Sequence, residues 1–289
     1  MIHHVLRTAA GLHVDAVAHG PRSGDAIVFL HGYTDSRRAF APMLAHMPPD
    51  RRCIAFSHRG HGDSDKPRTG YRIDDLVDDL AAVMERLEVP RAVLVGHSMG
   101  SLVATRYALT RPDRVAGLAL IGGFAALRGN AVVEAFWRET IADLVDPVDP
   151  AMSRAFQEST LARPVPAAFL DTVVTESLKL PARVWTQTLR GLLDEDFSRS
   201  LARIAVPALL IRGDRDTFSD AAEQRRLQAF LPGAERITID GAGHAPHWED
   251  PRGVADLIAG FARSALHAMP PIGPASGRLA LPELTTYVA

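Results

Sequence analysis

Short apolar runs recur along the chain and alternate with segments whose apolar residues have helical spacing. The runs occupy residues 27–30, 53–56, 92–95, 118–121, 208–211 and 237–239. Because each run is continuously apolar, the pattern predicts strands buried on both faces, in a mostly parallel sheet covered by helices. Residues 12–18 instead alternate apolar and polar positions, which predicts a half-exposed strand that begins an antiparallel edge.

Helical spacing fills most of the intervals between those runs. It predicts helices near residues 37–47, 72–88, 99–111, 219–231 and 251–267. The last helix is entered through Pro251, a residue type that suits the first turn of a helix because it has no N–H to satisfy there. Strands that alternate with helices in this way place the chain in the α/β fold class.

The alternation stops between residues 125 and 203, where no strand pattern is present and prolines separate short helical stretches. This predicts a helical cap, inserted into an α/β core that comprises residues 1–124 and 204–267. The aromatic residues of the insertion include Phe136, Trp137, Phe156, Phe169 and Trp185. We expect most of them to pack within a small helical layer and the rest to line a cavity between cap and core.

A tail rich in proline and glycine follows the last predicted helix, at residues 268–289. Its composition predicts an extended segment. Residues 279–284 are apolar enough to pack on their own domain or on a neighbouring subunit, and disorder is an equal alternative. A homo-oligomer formed through the tail is therefore one expectation.

Composition and charge narrow the classes of partner. The 289 residues carry a formal charge of -2 with acids and bases interspersed, which provides no field that would favour nucleic acid or an anionic membrane surface. No apolar run approaches the length of a bilayer span, and the N-terminus lacks the features of a secretion signal. The single cysteine, Cys53, excludes an intramolecular disulfide and lies in an apolar run. We expect a cytoplasmic protein whose partner is a small neutral molecule.

A serine flanked by glycines follows the apolar run at residues 92–95. The motif reads Gly96-His97-Ser98-Met99-Gly100. A strand, a sharp turn and a helix in this order hold a serine in strained backbone with its hydroxyl exposed, and glycines are needed where side chains would collide with backbone. The motif therefore predicts that Ser98 is a nucleophile.

A serine hydroxyl is a poor nucleophile at neutral pH, so the chain must supply a base and an anion that orients the base. The favoured base is His244, which follows the last strand on a loop with glycines. His247 is its competitor, and we expect His247 to be an exposed structural histidine. The favoured acid is Asp216, at the carboxyl edge of the sheet after residues 208–211. Asp214 is the alternative, and it would otherwise cap the turn or pair with an arginine.

Acyl transfer also needs N–H donors for the charge that develops on the substrate oxygen. The serine turn supplies the N–H of Met99. We expect the second donor from His31-Gly32-Tyr33, where Gly32 lets the backbone approach and Tyr33 presents its N–H. This chemistry needs no metal and no organic cofactor.

Together these residues resemble the α/β-hydrolase superfamily over about residues 10–267. The matching stretches are Phe29-Leu30-His31-Gly32-Tyr33, Arg59-Gly60-His61-Gly62-Asp63-Ser64, Gly96-His97-Ser98-Met99-Gly100, Gly213-Asp214-Arg215-Asp216 and Gly243-His244. The resemblance implies an eight-stranded sheet, a helical cap over the site, and a triad in the order Ser98, Asp216, His244. It also implies a structural turn at residues 59–62 beside the oxyanion loop.

The sequence departs from that superfamily at one position, and a second position bears on the choice of the acid. Ser57-His58 stands where its members usually carry an aspartate. Some branches place the acid after the strand at residues 118–121, but residues 122–126 hold no carboxylate, so Asp216 keeps that role.

The resemblance implies hydrolysis of a carboxylic ester or lactone through an acyl-enzyme, and the apolar cap predicts a lipophilic substrate. Serine at position 98 argues against haloalkane dehalogenase and epoxide hydrolase chemistry, whose relatives carry aspartate there. Three alternatives remain because one fold hosts many chemistries: carbon-carbon bond hydrolysis of vinylogous diketones, cofactor-free perhydrolysis, and a non-catalytic ligand receptor. Relatives with the first activity often carry asparagine at the position of His97.

Overall fold

Nine strands form the central sheet of the computed structural model, which describes residues 1–267 and the backbone of residues 286 and 287. The strands are β1 (Ile2–Arg7), β2 (His13–His19), β3 (Ala26–Leu30), β4 (Cys53–Phe56), β5 (Ala92–His97), β6 (Val115–Ile121), β7 (Ala208–Gly213), β8 (Glu235–Ile239) and β9 (Thr286–Tyr287). Their order in the sheet is β8-β7-β6-β5-β3-β4-β2-β1-β9. Strands β3 to β8 are parallel, whereas β2 pairs antiparallel with β1 and β4.

The mostly parallel α/β sheet is confirmed, and the antiparallel edge begins one strand earlier than the polar pattern indicates. β1 has only one fully buried residue, Leu6, and therefore lacks the apolar run that marks the inner strands. The two residues of β9 pair with His3 and His4 and add a short ninth strand to the expected eight. The predicted packing of residues 279–284 lies outside the described residues.

Helices occupy the intervals between the parallel strands. They are α1 (Ala41–Leu44), α2 (Ile73–Arg86), α3 (Met99–Thr110), α4 (Ala131–Phe136), α5 (Pro150–Ser159), α6 (Ala167–Leu178), α7 (Ala182–Asp194), α8 (Ala221–Phe230), α9 (Pro246–Glu249) and α10 (Pro251–His267). The predicted helix at residues 37–47 is instead a 3-10 turn, Arg37–Phe40, followed by α1. Ser36 caps that turn by accepting a hydrogen bond from the N–H of Arg38. None of the helices within residues 1–267 is both long and apolar enough to cross a membrane.

Two apolar layers cover the sheet. Alternate residues of β3 point to opposite faces, so Val28 joins the larger apolar cluster and Ile27 joins the smaller one. The larger cluster includes buried residues of α2 and α3, and the smaller includes those of α1 and α10. This packing fixes the carboxyl ends of the parallel strands, where the loops that carry the candidate chemistry emerge.

Between β6 and β7 the chain forms helices and loops, with no strand. Helix α7 presents Trp185, Leu189 and Leu192 to the interior, at the three- and four-residue spacing of a single helix face. Trp185 is fully buried, and its carbonyl accepts a hydrogen bond of 2.8 Å from the hydroxyl of Tyr33. The segment that holds α4 to α7, residues 131–194, is called the helical segment below, and it lies directly against the loop after β3.

Candidate active site

The turn between β5 and α3 has the geometry of a strained nucleophile elbow. Ser98 has φ +51° and ψ -113°, a backbone region that side chains rarely occupy. A Cβ at Gly96 would lie 2.3 Å from the carbonyl oxygen of Gly100. A Cβ at Gly100 would lie 2.1 Å from the carbonyl oxygen of Leu30. Both glycines are therefore required for the turn to close against β3.

Three predicted side chains from three separate loops meet at this turn. Ser98 Oγ lies 2.9 Å from His244 Nε2, and His244 Nδ1 lies 2.9 Å from Asp216 Oδ2. An ionised carboxylate can only accept hydrogen bonds, so His244 carries its proton on Nδ1 and its Nε2 is free to accept the serine proton. The arrangement can remove a proton from the Ser98 hydroxyl.

Asp216 is held in its charged form although it is only 4% exposed. Burial alone would raise its pKa, but the charge and hydrogen bond of His244 and two backbone N–H donors outweigh that effect, so the pKa lies below the usual value. The N–H groups of Phe218 and Ser219 donate to Oδ1 at 2.9 and 2.8 Å. These bonds leave Oδ2 directed at the imidazole.

The loop that carries His244 is fixed by contacts that sequence reasoning did not identify. The backbone N–H of His244 donates to the carbonyl of Thr160 at 2.8 Å, which ties the loop to the end of α5. Glu249 accepts hydrogen bonds from the N–H groups of Gly243 and Arg163 at 2.8 and 2.9 Å. No sequence motif signals these contacts, because they depend on where the helical segment lies.

The backbone N–H groups of Tyr33 and Met99 have no acceptor among the described residues, and both residues line the pocket that contains Ser98. The first N–H of a helix has no partner within that helix, which frees the donor of Met99 at the start of α3. The Tyr33 side chain is anchored through its bond to Trp185, and burial raises its pKa well above 10. The two N–H groups remain the candidates for an oxyanion hole.

The residues around that loop form a rigid support. His31 Nε2 accepts from the N–H of His58 at 3.0 Å, so its Nδ1 carries the proton and donates to the carbonyl of Gly32 at 2.8 Å. His31 and His58 also pack edge to face, with ring centroids 4.8 Å apart. His58, the departure from the superfamily pattern, therefore contributes to the support of the loop.

The two competing residues lie away from this chain of bonds. His247 is fully buried rather than exposed, so the expectation of an exposed histidine was wrong. It lies between Phe40 and His97, with ring centroids 5.3 and 4.4 Å away, and neither ring nitrogen has a hydrogen-bond partner in the described part of the chain. Asp214 is exposed to solvent, and the carboxylate that bonds His244 Nδ1 is that of Asp216.

An apolar pocket that opens to solvent is lined by Ser98, and the empty space in it, including solvent at its mouth, is about 560 Å³. The helical segment contributes its apolar wall, formed by Val133, Phe136, Phe156, Leu189 and Leu192. The rings of Phe136 and Phe156 are stacked, with centroids 4.9 Å apart. Of the other predicted aromatics, Phe169 packs on Trp248, Trp185 is core, and Trp137 lies beneath the guanidinium of Arg190. The expected division between core and cavity is therefore present.

No cluster of histidine, cysteine, aspartate or glutamate among the described residues 1–267 has the arrangement needed to hold a metal ion. The side chains of Ser98, His244 and Asp216 are engaged in the hydrogen bonds described above. The candidate site thus brings a serine, a histidine and an aspartate into one chain of hydrogen bonds beside an apolar pocket.

Comparisons with known proteins agree with this architecture. The pimeloyl-(acyl-carrier protein) methyl ester esterase of Xanthomonas campestris pv. campestris is 32% identical over 269 residues, which cover 90% of this chain and all of that protein. The esterase of Exiguobacterium antarcticum superposes with a TM-score of 0.81 at 22% identity, covering 90% of this chain and 99% of its own. An enzyme described as degrading N-acyl homoserine lactones superposes with a TM-score of 0.74 at 26% identity, covering 89% and 99% of the two chains.

A sequence profile of the α/β hydrolase fold matches residues 25–251, which span β3 through α9 and every side chain of the candidate site. The chain is therefore a member of the α/β-hydrolase family and is similar to its esterases and lactonases.

Proposed function

We propose that the protein is a serine hydrolase that cleaves a carboxylic ester or lactone of a lipophilic small molecule. The observation that carries the proposal is the unbroken chain of hydrogen bonds from Ser98 through His244 to Asp216 at the floor of an apolar pocket. An esterase that is 32% identical over its whole length supports the same class of reaction.

In the proposed mechanism, the Ser98 oxygen attacks the substrate carbonyl while His244 Nε2 takes the serine proton. The carbonyl oxygen becomes an oxyanion, which the N–H groups of Tyr33 and Met99 stabilise. Asp216 holds the imidazole in position and stabilises its charged form. Collapse of the intermediate breaks the bond to the alcohol, which leaves with the proton from His244 and gives an acyl-enzyme.

Water completes the cycle. His244, neutral again, removes a proton from a water molecule that attacks the acyl carbon, and a second oxyanion forms in the same N–H pair. Its collapse returns the proton to Ser98 Oγ and releases the carboxylic acid. For a lactone, the alcohol and the acid remain parts of one product.

The helical segment has the role of a cap in this proposal, inserted into a core of residues 1–124 and 204–267 as the helical pattern of residues 125–203 predicts. Its apolar wall gives the acyl or alcohol group a surface that water does not occupy. Burial of such a group stabilises the complex by about 0.8 kcal/mol per CH₂, which favours medium-length or aromatic chains. A cytoplasmic location is part of the proposal, and the single, buried cysteine is consistent with a reducing compartment.

Hydrolysis of a panel of p-nitrophenyl esters and lactones by the wild type and by Ser98→Ala tests the proposal. We expect measurable ester hydrolysis by the wild type and a loss of at least about 10⁴-fold in kcat for the variant. Ser153→Ala is the matched control, because Ser153 is buried in α5 and its hydroxyl has no partner in the described structure. Folded wild-type protein with no turnover on the whole panel would reject the proposal and favour carbon-carbon substrates or a receptor.

A further inference from the structure

A second buried pair of aspartate and histidine lies behind the candidate triad. His97 precedes the nucleophile and is 2% exposed, and Asp35 follows the oxyanion loop and is also 2% exposed. His97 Nδ1 lies 3.7 Å from Asp35 Oδ2, and His97 Nε2 lies 3.1 Å from the backbone carbonyl oxygen of His244. One imidazole thus connects the oxyanion loop with the residue that carries the base.

The direction of the bond to His244 is fixed by chemistry. A carbonyl oxygen only accepts, so His97 must carry a proton on Nε2 and donate it. The other nitrogen, Nδ1, then faces the carboxylate of Asp35. Burial lowers the pKa of His97, and Asp35 partly opposes that effect. In the neutral ring Nδ1 carries no proton, so it makes no hydrogen bond with the Asp35 carboxylate, and the bond to the His244 carbonyl is what orients the ring.

Gly32 makes this approach possible. A Cβ at Gly32 would lie 2.7 Å from His97 Nδ1 and 2.8 Å from Asp35 Oδ2, in the space between the two side chains. The glycine that follows His31 therefore has a second role besides the approach of the oxyanion loop.

The helical segment completes the arrangement. Gln157 of α5 donates to Asp35 Oδ1 at 3.3 Å, and the amide also donates to Ser177 Oγ at 2.6 Å. Three residues further along, the carbonyl of Thr160 accepts from the N–H of His244. Both backbone polar groups of His244 are therefore held, the carbonyl by His97 and the N–H by Thr160.

A purely structural role explains His97 poorly. A buried imidazole whose Nδ1 has no hydrogen-bond partner among the described residues lowers stability, and an apolar side chain of similar volume would fill the space at no such cost. Of the atoms of Ser98, His244 and Asp216, the one that His97 bonds in the described structure is the carbonyl oxygen of His244. His97 is thus best explained by its effect on the base.

We propose that His97 is a positioning residue for His244, whose backbone it fixes through its Nε2–H so that the imidazole of the base stays aligned between Ser98 and Asp216. The proposal rests on the proposed ester hydrolysis for its kinetic test. His97 makes no hydrogen bond to the reacting atoms in the described structure, and displacement of His244 by a fraction of an ångström is the way in which its loss affects the rate.

Two substitutions of His97 separate the bond to His244 from the volume of the side chain. In His97→Gln the amide nitrogen reaches the position of Nε2, so the donor to the His244 carbonyl is retained. In His97→Asn the amide is too short to reach that carbonyl. With p-nitrophenyl butyrate, we expect His97→Asn to lower kcat about 10- to 100-fold with KM changed less than about threefold. We expect His97→Gln to recover most of kcat.

His97→Leu gives an independent arm if His97→Asn does not fold, because leucine fills a similar volume and has no donor. We expect it to lower kcat in the same way. Full kcat in folded His97→Asn or in folded His97→Leu would overturn the proposal.

The low-field proton NMR signal of His244 Nδ1–H, which bonds to Asp216, reports on the base without any substrate. We expect this signal in the wild type and in His97→Gln, and its broadening or loss in His97→Asn. If the wild type hydrolyses no ester but the signal changes as expected, the positioning role stands and the proposed function fails. An ester hydrolase whose kcat and low-field signal are insensitive to His97 would reject the positioning role alone.

Discussion

Gly122 directly follows β6 and lies against the imidazole of His244, where there is no space for a side chain. Its φ is +52°, and a Cβ there would lie 2.8 Å from both Cε1 and Nδ1 of His244. The Nδ1 atom is the one that bonds to Asp216. A single methyl group at this position would push the imidazole away from its partner. Residues 122–126 hold no carboxylate, and position 122 in addition requires glycine.

We expect Gly122→Ala to lower kcat about 100-fold or more, because even a small displacement of His244 breaks its alignment. Gly129→Ala is the matched control, since Gly129 also has a positive φ, +82°, but its Cβ would meet nothing within 4 Å. The control should lose about 1 kcal/mol of stability from backbone strain and keep its kcat. Equal kcat values for the two folded variants would show that the contact with His244 does not matter.

At the scale of the elements, the helical segment forms one wall of the pocket over Ser98. That wall is apolar, and among the described residues that line the pocket there is no lysine or arginine. The one carboxylate there is Asp35. A substrate with a negative charge would lose its hydration and find no cation in return, at a cost of several kcal/mol.

We therefore expect neutral p-nitrophenyl butyrate to be hydrolysed with a kcat/KM at least about 100-fold above that of the mono-p-nitrophenyl ester of succinic acid, which has the same chain length and a free carboxylate. Val133→Arg introduces a cation into the pocket wall and should narrow this ratio. A wild-type enzyme that prefers the charged ester would contradict an apolar binding site.

The elements show why the sequence predicts some parts of the site and not others. The elbow and the loops after β3 and β7 are local features of the sequence, because in each of them a glycine or polar residue directly follows a buried strand. The sequence therefore predicts the positions of Ser98, Tyr33 and Asp216. The contacts of Thr160 and Gln157 join residues more than 80 positions apart from their partners, His244 and Asp35. Such contacts arise only when α5 packs on the core. The sequence pattern predicts an exposed His247, whereas α9 turns it inward against Phe40.

At the scale of the whole molecule, a set of histidines is buried in the neutral form. Burial is the main cause in each case, and it lowers the pKa of His61 to about 4 and those of His31, His58 and His247 well below 6.5. All four are fully buried. Below pH 6.5 the unfolded chain binds a proton at each of these positions, whereas the folded protein binds it only at a lower pH, about 4 for His61.

The sign of the resulting pH dependence follows directly. Where the unfolded state binds more protons than the native state, the free energy of unfolding rises with pH. The stability that these histidines contribute is therefore present above pH 6.5 and is lost as the pH falls below that value. Each such histidine changes the free energy of unfolding by about 1.4 kcal/mol per pH unit once the pH is well below 6.5.

His247 isolates one member of this set, because it makes no hydrogen bond that a substitution would break. In urea unfolding at pH 6.5 and pH 5, we expect His247→Leu to lose about 1.5 kcal/mol less stability between the two pH values than the wild type does. His46→Gln, a change at an exposed histidine, is the control and should follow the wild type. If His247→Leu and the wild type lose the same free energy of unfolding between the two pH values, His247 binds its proton in the folded protein. Its ring, which is buried among Phe40, His97 and Trp248, would then have to become accessible to solvent without global unfolding.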